Sequence, residues 1–299
     1  MIGNGLPGHA RTAARIAAYL LVTTATTIGI QLLVIPVAGL PVQVTGWLYL
    51  AVAGPVVVAL TWWFRVRCER APWRDIGLTG AGARRAVVHV LTGTGAGTFT
   101  VGLALAAHVW AGYVVVTGTH VVNPRPLTVT DGWPVVTGGP VWLLPILAVG
   151  ALGLALATGV VEEVQYRGYV LAAAGARLPL WAAAAISGLL FTLPHLMINP
   201  LAAVQRWLIV PLLLGVAFVA LRVASGALWL PIGFHAGFNW AHWQLFPGGP
   251  FPGWLGSEPG PERLSAGSDP VLVGVLAGLL GLVLFTTRRR IRWRDPQPF

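Results

Sequence analysis

The chain contains no lysine, a single cysteine (Cys68), two methionines and only nine acidic residues in 299. One cysteine excludes an intramolecular disulfide and a cysteine-rich metal site. Charged residues make up 9% of the chain, against about a quarter in an ordinary soluble domain. So little charge excludes a soluble core wrapped in a charged surface. What fills the space is apolar: 56% hydrophobic residues and a mean hydropathy of +0.75. The composition is that of a polytopic membrane protein.

All 19 basic residues are arginine, and the formal net charge is +10. Charge of this sign can mark nucleic-acid binding, but here the arginines flank apolar runs. Anionic lipid headgroups account for them, and no nucleic-acid partner is expected. Arg11 and Arg15 precede an apolar run from Ile16 to Ile35. That run is longer than the core of a secretory signal, so it reads as a retained first span with no soluble domain appended.

Apolar windows fall near 16–36, 45–64, 87–116, 141–161 and beyond, 180–197, 201–223, 228–246 and 271–286. Each can cross about 30 Å of hydrocarbon as a helix, the form in which a backbone satisfies itself in lipid. The expected fold is all-α, with about eight transmembrane helices in a single integral membrane domain spanning 1–299. With the N-terminus cytoplasmic, sixteen arginines fall on inner segments and only Arg125, Arg206 and Arg263 outside. That asymmetry places both termini on the cytoplasmic side. The basic inner segment RVRCERAPWRDIGLTGAGARR is expected to lie along the membrane surface, with Trp62, Trp63 and Arg65 as an interfacial anchor. The outer segment from Pro247 to Pro270, rich in Gly and Pro, is expected to be irregular. GTGAG at 93–97 superficially resembles a phosphate loop. It lies inside an apolar span with no strand before it, so its small residues point to close helix packing.

Against this background one stretch stands out. Between Asp131 and Glu258 the only acids are Glu162 and Glu163, adjacent in GVVEEVQYRGYV. Ionisable groups inside spans are costly and usually mark a pathway, a relay or a catalytic site. Two further polar groups occupy later spans: FTLPH ending at His195, and HAGFN with His235 and Asn239. Glu163 and Arg167 are four apart and can pair on one helical face, whereas Glu162 points about 100° away. One carboxylate is thereby neutralised and the other left for chemistry. The turn GARLP at 175–179 lies midway between Glu162 and His195, so an antiparallel hairpin sets these two at similar depth. His235 and Asn239, four apart, share a face, and His242 continues it as a packing or interfacial residue. His89 and His108 belong to no ordered constellation, and His9 and His120 fall in loops.

A carboxylate, two imidazoles and a carboxamide suit the activation of water. Glu162 takes the proton, His195 helps to hold the water, and His235 and Asn239 donate to the oxyanion of an attacked amide. Glu162, His195 and His235 could instead bind zinc, but asparagine is not a zinc ligand and no HExxH helix is present. The metal-free route is preferred; no cofactor is firmly expected, with zinc the alternative. A proton- or metal-coupled transporter would use the same groups as a relay, yet no repeated halves are visible. A third class is a non-catalytic immunity or scaffold protein.

These motifs resemble those of the CAAX-protease and bacteriocin-processing family of intramembrane endopeptidases. EEVQYR at 162–167 is similar to its EExxxR motif, FTLPH at 191–195 to FxxxH, and HAGFN at 235–239 to HxxxN. WRDIGL at 73–78 is similar to a short element found before the core of the family, so the resemblance runs from about 73 to 246. It implies eight membrane helices around a cavity open to the cytoplasm. Glu162 is then the base, His195 its water-positioning partner, and His235 and Asn239 the oxyanion site, with Glu163, Arg167 and Phe191 in support. It also implies peptide or protein substrates at the membrane, of prenyl or bacteriocin type, with lipid as the other partner. All-arginine usage fits a bacterium, and hence its cytoplasmic membrane.

Overall fold

The computed structural model describes residues 8–38, 42–79, 82–119, 128–130, 133–135, 143–198, 204–245, 255–259, 270–287 and 293. The chain is helical, as its composition requires. In order come α1 (Gly8–Ala38), α2 (Val42–Trp62), α3 (Gly82–Trp110), α4 (Leu143–Glu162), α5 (Leu171–Gly175), α6 (Leu180–Ile198), α7 (Val204–Ser225), α8 (Trp229–Leu245) and α9 (Pro270–Thr287). A π-helix, Glu163–Val170, joins α4 to α5 as one continuous rod, and a second, Trp63–Cys68, extends α2. Among the described residues eight rods result, one in each apolar window of the sequence. Among the described residues four stretches are long and apolar enough to cross a membrane: Gly8–Leu33, Thr45–Cys68, Gly82–Trp110 and Pro145–Gly175. Leu180–His195, Ile209–Ser225 and Val271–Thr287 are shorter apolar helices.

The rods leave many large apolar side chains exposed, among them Leu21, Leu33, Leu91, Phe99 and Phe285. In water such a surface would aggregate; in a bilayer it meets hydrocarbon. Among the described residues there are also two short antiparallel ladders. Strand β1 (Val114–Thr119) pairs with β4 (Leu255–Pro259), and β2 (Thr128–Thr130) with β3 (Trp133–Val135). The segment expected to be irregular between Pro247 and Pro270 therefore contains a strand; the rest of it lies outside the described residues, as do His120, Arg125 and Arg263.

Close packing between α3 and α8 fixes the position of the histidine-bearing helix. A Cβ on Gly93 or Gly97 would strike the backbone of Leu230 or Phe234, and one on Gly233 or Gly237 would strike that of Val90 or Thr94. Four glycines at four-residue spacing, two per helix, thus let the backbones touch, the contact that takes the place of a hydrophobic driving force in lipid. The small residues of GTGAG serve this crossing. The indole N–H of Trp47 donates to the Val149 carbonyl at 2.9 Å, and that of Trp240 to the Ala148 carbonyl at 2.8 Å, pinning α4 to α2 and α8. The GARLP turn closes where the sequence places it, with residues 176–179 separating α5 from α6, and Gly226 at φ 70° ends α7.

The basic stretch that follows Trp63 holds buried ion pairs. Arg65 is buried, not anchored at the surface. Its guanidinium bridges Glu69 at 2.7 Å and Asp75 at 2.6 Å. Two carboxylates within reach outweigh the headgroups, because an arginine fork satisfies both in a fixed geometry. The guanidinium that lies over Trp62, with its carbon 5.6 Å from the ring centroid, is that of Arg67. Asp75 belongs to a 3-10 turn, Trp73–Ile76, that docks beneath the site: Ile76 is fully buried, and a Cβ on Gly168 would come 3.1 Å from it. Gly77 follows at φ 84°, a conformation natural to glycine, with its carbonyl accepting from the Leu228 N–H at 2.9 Å. Arg65 and Ile76 are thus buried against the helices, while Arg67, Arg70, Arg74, Arg84 and Arg85 remain exposed.

Candidate active site

The adjacent glutamates sit where α4 passes into the π-helix. Neighbours on an α-helix diverge by about 100°, yet both carboxylates here approach one imidazole from α8. Glu163 Oε1 lies 2.9 Å from Nδ1 of His235, and Glu162 Oε2 lies 3.7 Å from Nε2 of the same ring. The wider π register, a form found mostly at functional sites, is what accompanies this convergence. Ser187 of α6 donates to the Tyr166 carbonyl inside the π-helix at 2.9 Å, holding it to the neighbouring rod.

Glu163 and Arg167 pair as the spacing requires, at 2.9 Å, with both side chains fully buried. One oxygen of Glu163 thus accepts from both Arg167 and His235. Arg167 lies in the corner of two perpendicular rings: its guanidinium carbon is 4.2 Å from the Phe191 centroid and 4.7 Å from that of Phe218. Phe218 also stacks on His235, with centroids 4.8 Å apart and planes 16° from parallel.

Since Glu163 is held as a carboxylate by Arg167, it accepts, and Nδ1 of His235 carries the hydrogen. In the neutral ring Nε2 is then an acceptor, and it faces another acceptor, Oε2 of Glu162. At 3.7 Å they are too far apart for a direct hydrogen bond, and Oε2 is buried without a partner among the described residues. The Glu162 side chain nevertheless remains a quarter exposed. A donor inserted at this point would satisfy both groups.

His195 is partly buried, and its Nδ1 donates to the Phe191 carbonyl one turn back at 2.9 Å. The Phe191 ring separates the two imidazoles, with centroids 5.0 Å from His195 and 5.9 Å from His235. Asn239 stands one turn beyond His235 on α8, half-buried. His242 stacks on Phe238, as a packing residue would. The structure therefore brings Glu162, Glu163, Arg167, Phe191 and His235 into direct contact, with His195 one ring away. The imidazole in contact with Glu162 is that of His235, from α8. Among the described residues no three His, Cys, Asp or Glu side chains come together as metal ligands.

Two features escaped sequence reasoning. Nothing in the sequence marks Phe218, an aromatic in an apolar helix. Glu69 and Asp75 did carry a signal, as acids within a basic stretch. Glu69 reaches the π-helix itself, accepting from the Tyr169 hydroxyl at 2.6 Å, and Tyr169 stacks on Tyr19 at 3.8 Å.

The fold and site define a helical integral membrane protein with a buried carboxylate–imidazole cluster beside a partly exposed glutamate. Residues 142–241 match the family model described as type II CAAX prenyl endopeptidase Rce1-like. That stretch carries all three motifs, and it bears out their resemblance to the CAAX-protease and bacteriocin-processing family. No curated protein and no solved structure matches the chain.

Proposed function

We propose that the protein is an intramembrane endopeptidase that hydrolyses peptide bonds of membrane-associated peptides, of prenyl or bacteriocin type, at a bacterial cytoplasmic membrane. One observation carries the reading: the partnerless Oε2 of Glu162 facing Nε2 of His235 at 3.7 Å. Water bound there donates to both groups and presents its lone pair to a substrate carbonyl.

Glu162 takes the proton as the new C–O bond forms. Asn239 donates to the resulting oxyanion, and Nε2 of His235 keeps its hydrogen bond from the remaining hydrogen of the attacking oxygen. Glu163, fixed by Arg167, holds His235 in the tautomer that leaves Nε2 an acceptor, the orienting part a carboxylate takes beside a catalytic histidine. His195 orients the water from the α6 side. Collapse of the intermediate breaks the C–N bond, and Glu162 returns the proton to the leaving amine. The reaction proceeds without a bound metal, in one membrane domain spanning 1–299 with both termini cytoplasmic.

The test uses purified protein in liposomes with a fluorogenic peptide anchored at the membrane, beside a proton-flux measurement on the same vesicles. Cleavage without flux supports the peptidase. Flux without cleavage supports a transporter using the same groups, and neither activity supports a non-catalytic scaffold.

A further inference from the structure

We propose that Phe218, on α7 and outside all three motifs, is a positioning residue that aims His235 and Arg167 at Glu163. The proposal rests on the peptidase reading and deepens it.

A buried arginine ordinarily spends its donors on hydrogen bonds. Arg167 is fully buried, yet only its bond to Glu163 is made, and Nε and one terminal nitrogen have no hydrogen-bond partner among the described residues. The faces of Phe191 and Phe218 take over, at 4.2 and 4.7 Å from the guanidinium carbon. A cation over an aromatic face is stabilised by the ring quadrupole, most strongly where water is excluded. Gly215 on the same helix leaves the room: a Cβ there would come 3.3 Å from Arg167.

Phe218 differs from Phe191 in its second contact. Phe191 meets His235 edge-on at 83°, whereas Phe218 lies nearly parallel to it at 16°. A flat plate under the imidazole removes its freedom to roll about its own bond. The ring plane decides whether Nδ1 meets Glu163 while Nε2 meets Glu162. Phe218 therefore couples the cation that fixes Glu163 to the imidazole that Glu163 orients. A leucine would fill much of the volume but offers neither plate nor quadrupole.

The experiment combines F218L with a graded series in which 4-fluoro-, 3,5-difluoro- or 3,4,5-trifluorophenylalanine replaces Phe218. Peptide cleavage and the ring nitrogen resonances of His235 are read on each full-length protein. F218L should lower kcat about ten- to a hundredfold with KM nearly unchanged, as misplaced catalytic groups do. The fluorinated rings keep shape but drain the face, and kcat should fall stepwise, to about a tenth with three fluorines. A purely structural Phe218 would be indifferent to fluorination. Equal kcat across the folded series overturns the proposal, even where F218L itself fails to fold. If the wild-type protein cleaves nothing, the peptidase reading fails and the resonances decide alone. Loss of the Nδ1–H signature in F218L, or its weakening along the series, supports positioning; unchanged ring resonances refute it.

Discussion

Glu163 and His235, 72 residues apart in the chain, meet at 2.9 Å in a pocket closed to solvent. The contact converts one member of an acid pair into a support for an imidazole and leaves the other, Glu162, with a buried oxygen unsatisfied. Division of labour between two adjacent carboxylates follows from where each points, not from any difference in their chemistry.

Removing Glu163 should damage the fold more than removing Glu162. Glu163→Ala strands the Arg167 charge in a fully buried place, a change that costs about 3–5 kcal/mol. The double variant Glu163→Ala with Arg167→Met should recover part of that loss. Thermal unfolding in detergent checks the order; a double variant less stable than Glu163→Ala would contradict it.

The Arg65 cluster should behave in the same way at a distance. Arg65→Leu leaves the buried Glu69 carboxylate without its counter-charge, with a loss of about 3–5 kcal/mol; Asp75, part-exposed and beside Arg222, loses less. Tyr169→Phe, which removes only the hydroxyl that donates to Glu69, should cost about 1–3 kcal/mol. Denaturant titration of the two variants separates them.

Gly237→Leu should force α8 away from α3, because its side chain would enter the Thr94 backbone. Overpacking of this kind costs about 1–3 kcal/mol or more, and His235, two residues away, should move with the helix. Cleavage should fall together with stability. Gly274 on α9, which has open space around it, is the control position, where leucine should change neither.

Chelation should leave cleavage intact. In the proposed route Glu162 acts on water directly, so stripping metal removes nothing that the reaction uses. Treatment with a strong chelator, followed by metal analysis of the active fractions, is the check. Activity that disappears and returns on adding zinc would assign Glu162 to a metal.

The eight rods, their turns and the Glu163–Arg167 pair were legible in the sequence because each depends on local pattern: apolar length, Gly and Pro at the ends, a spacing of four. The packing role of GTGAG was legible for the same reason. The π-helix was not, since nothing in EVQYRGYV distinguishes it from an α-helical turn. Its register appears only once α6 and α8 close around it. Arg65 looked like an anchor although Glu69 stands four residues on; its second partner, Asp75, reaches it only when the chain reverses after Arg70. The pairing of Glu162 with His235 and the plate made by Phe218 depend on how α7 and α8 rotate about their axes. For α8 that rotation is fixed by Gly233 and Gly237 against α3, a contact between helices far apart in the chain.

Cleavage of a membrane-anchored peptide by wild-type protein and by Glu162→Gln, at matched fold and concentration, tests the central claim most directly. The isosteric amide keeps the shape and cannot take a proton, so the rate should fall about a hundred- to ten-thousandfold with unfolding unchanged. A Glu162→Gln protein that cleaves at the wild-type rate would show that the proton goes elsewhere, and Glu162 would lose its role as the base.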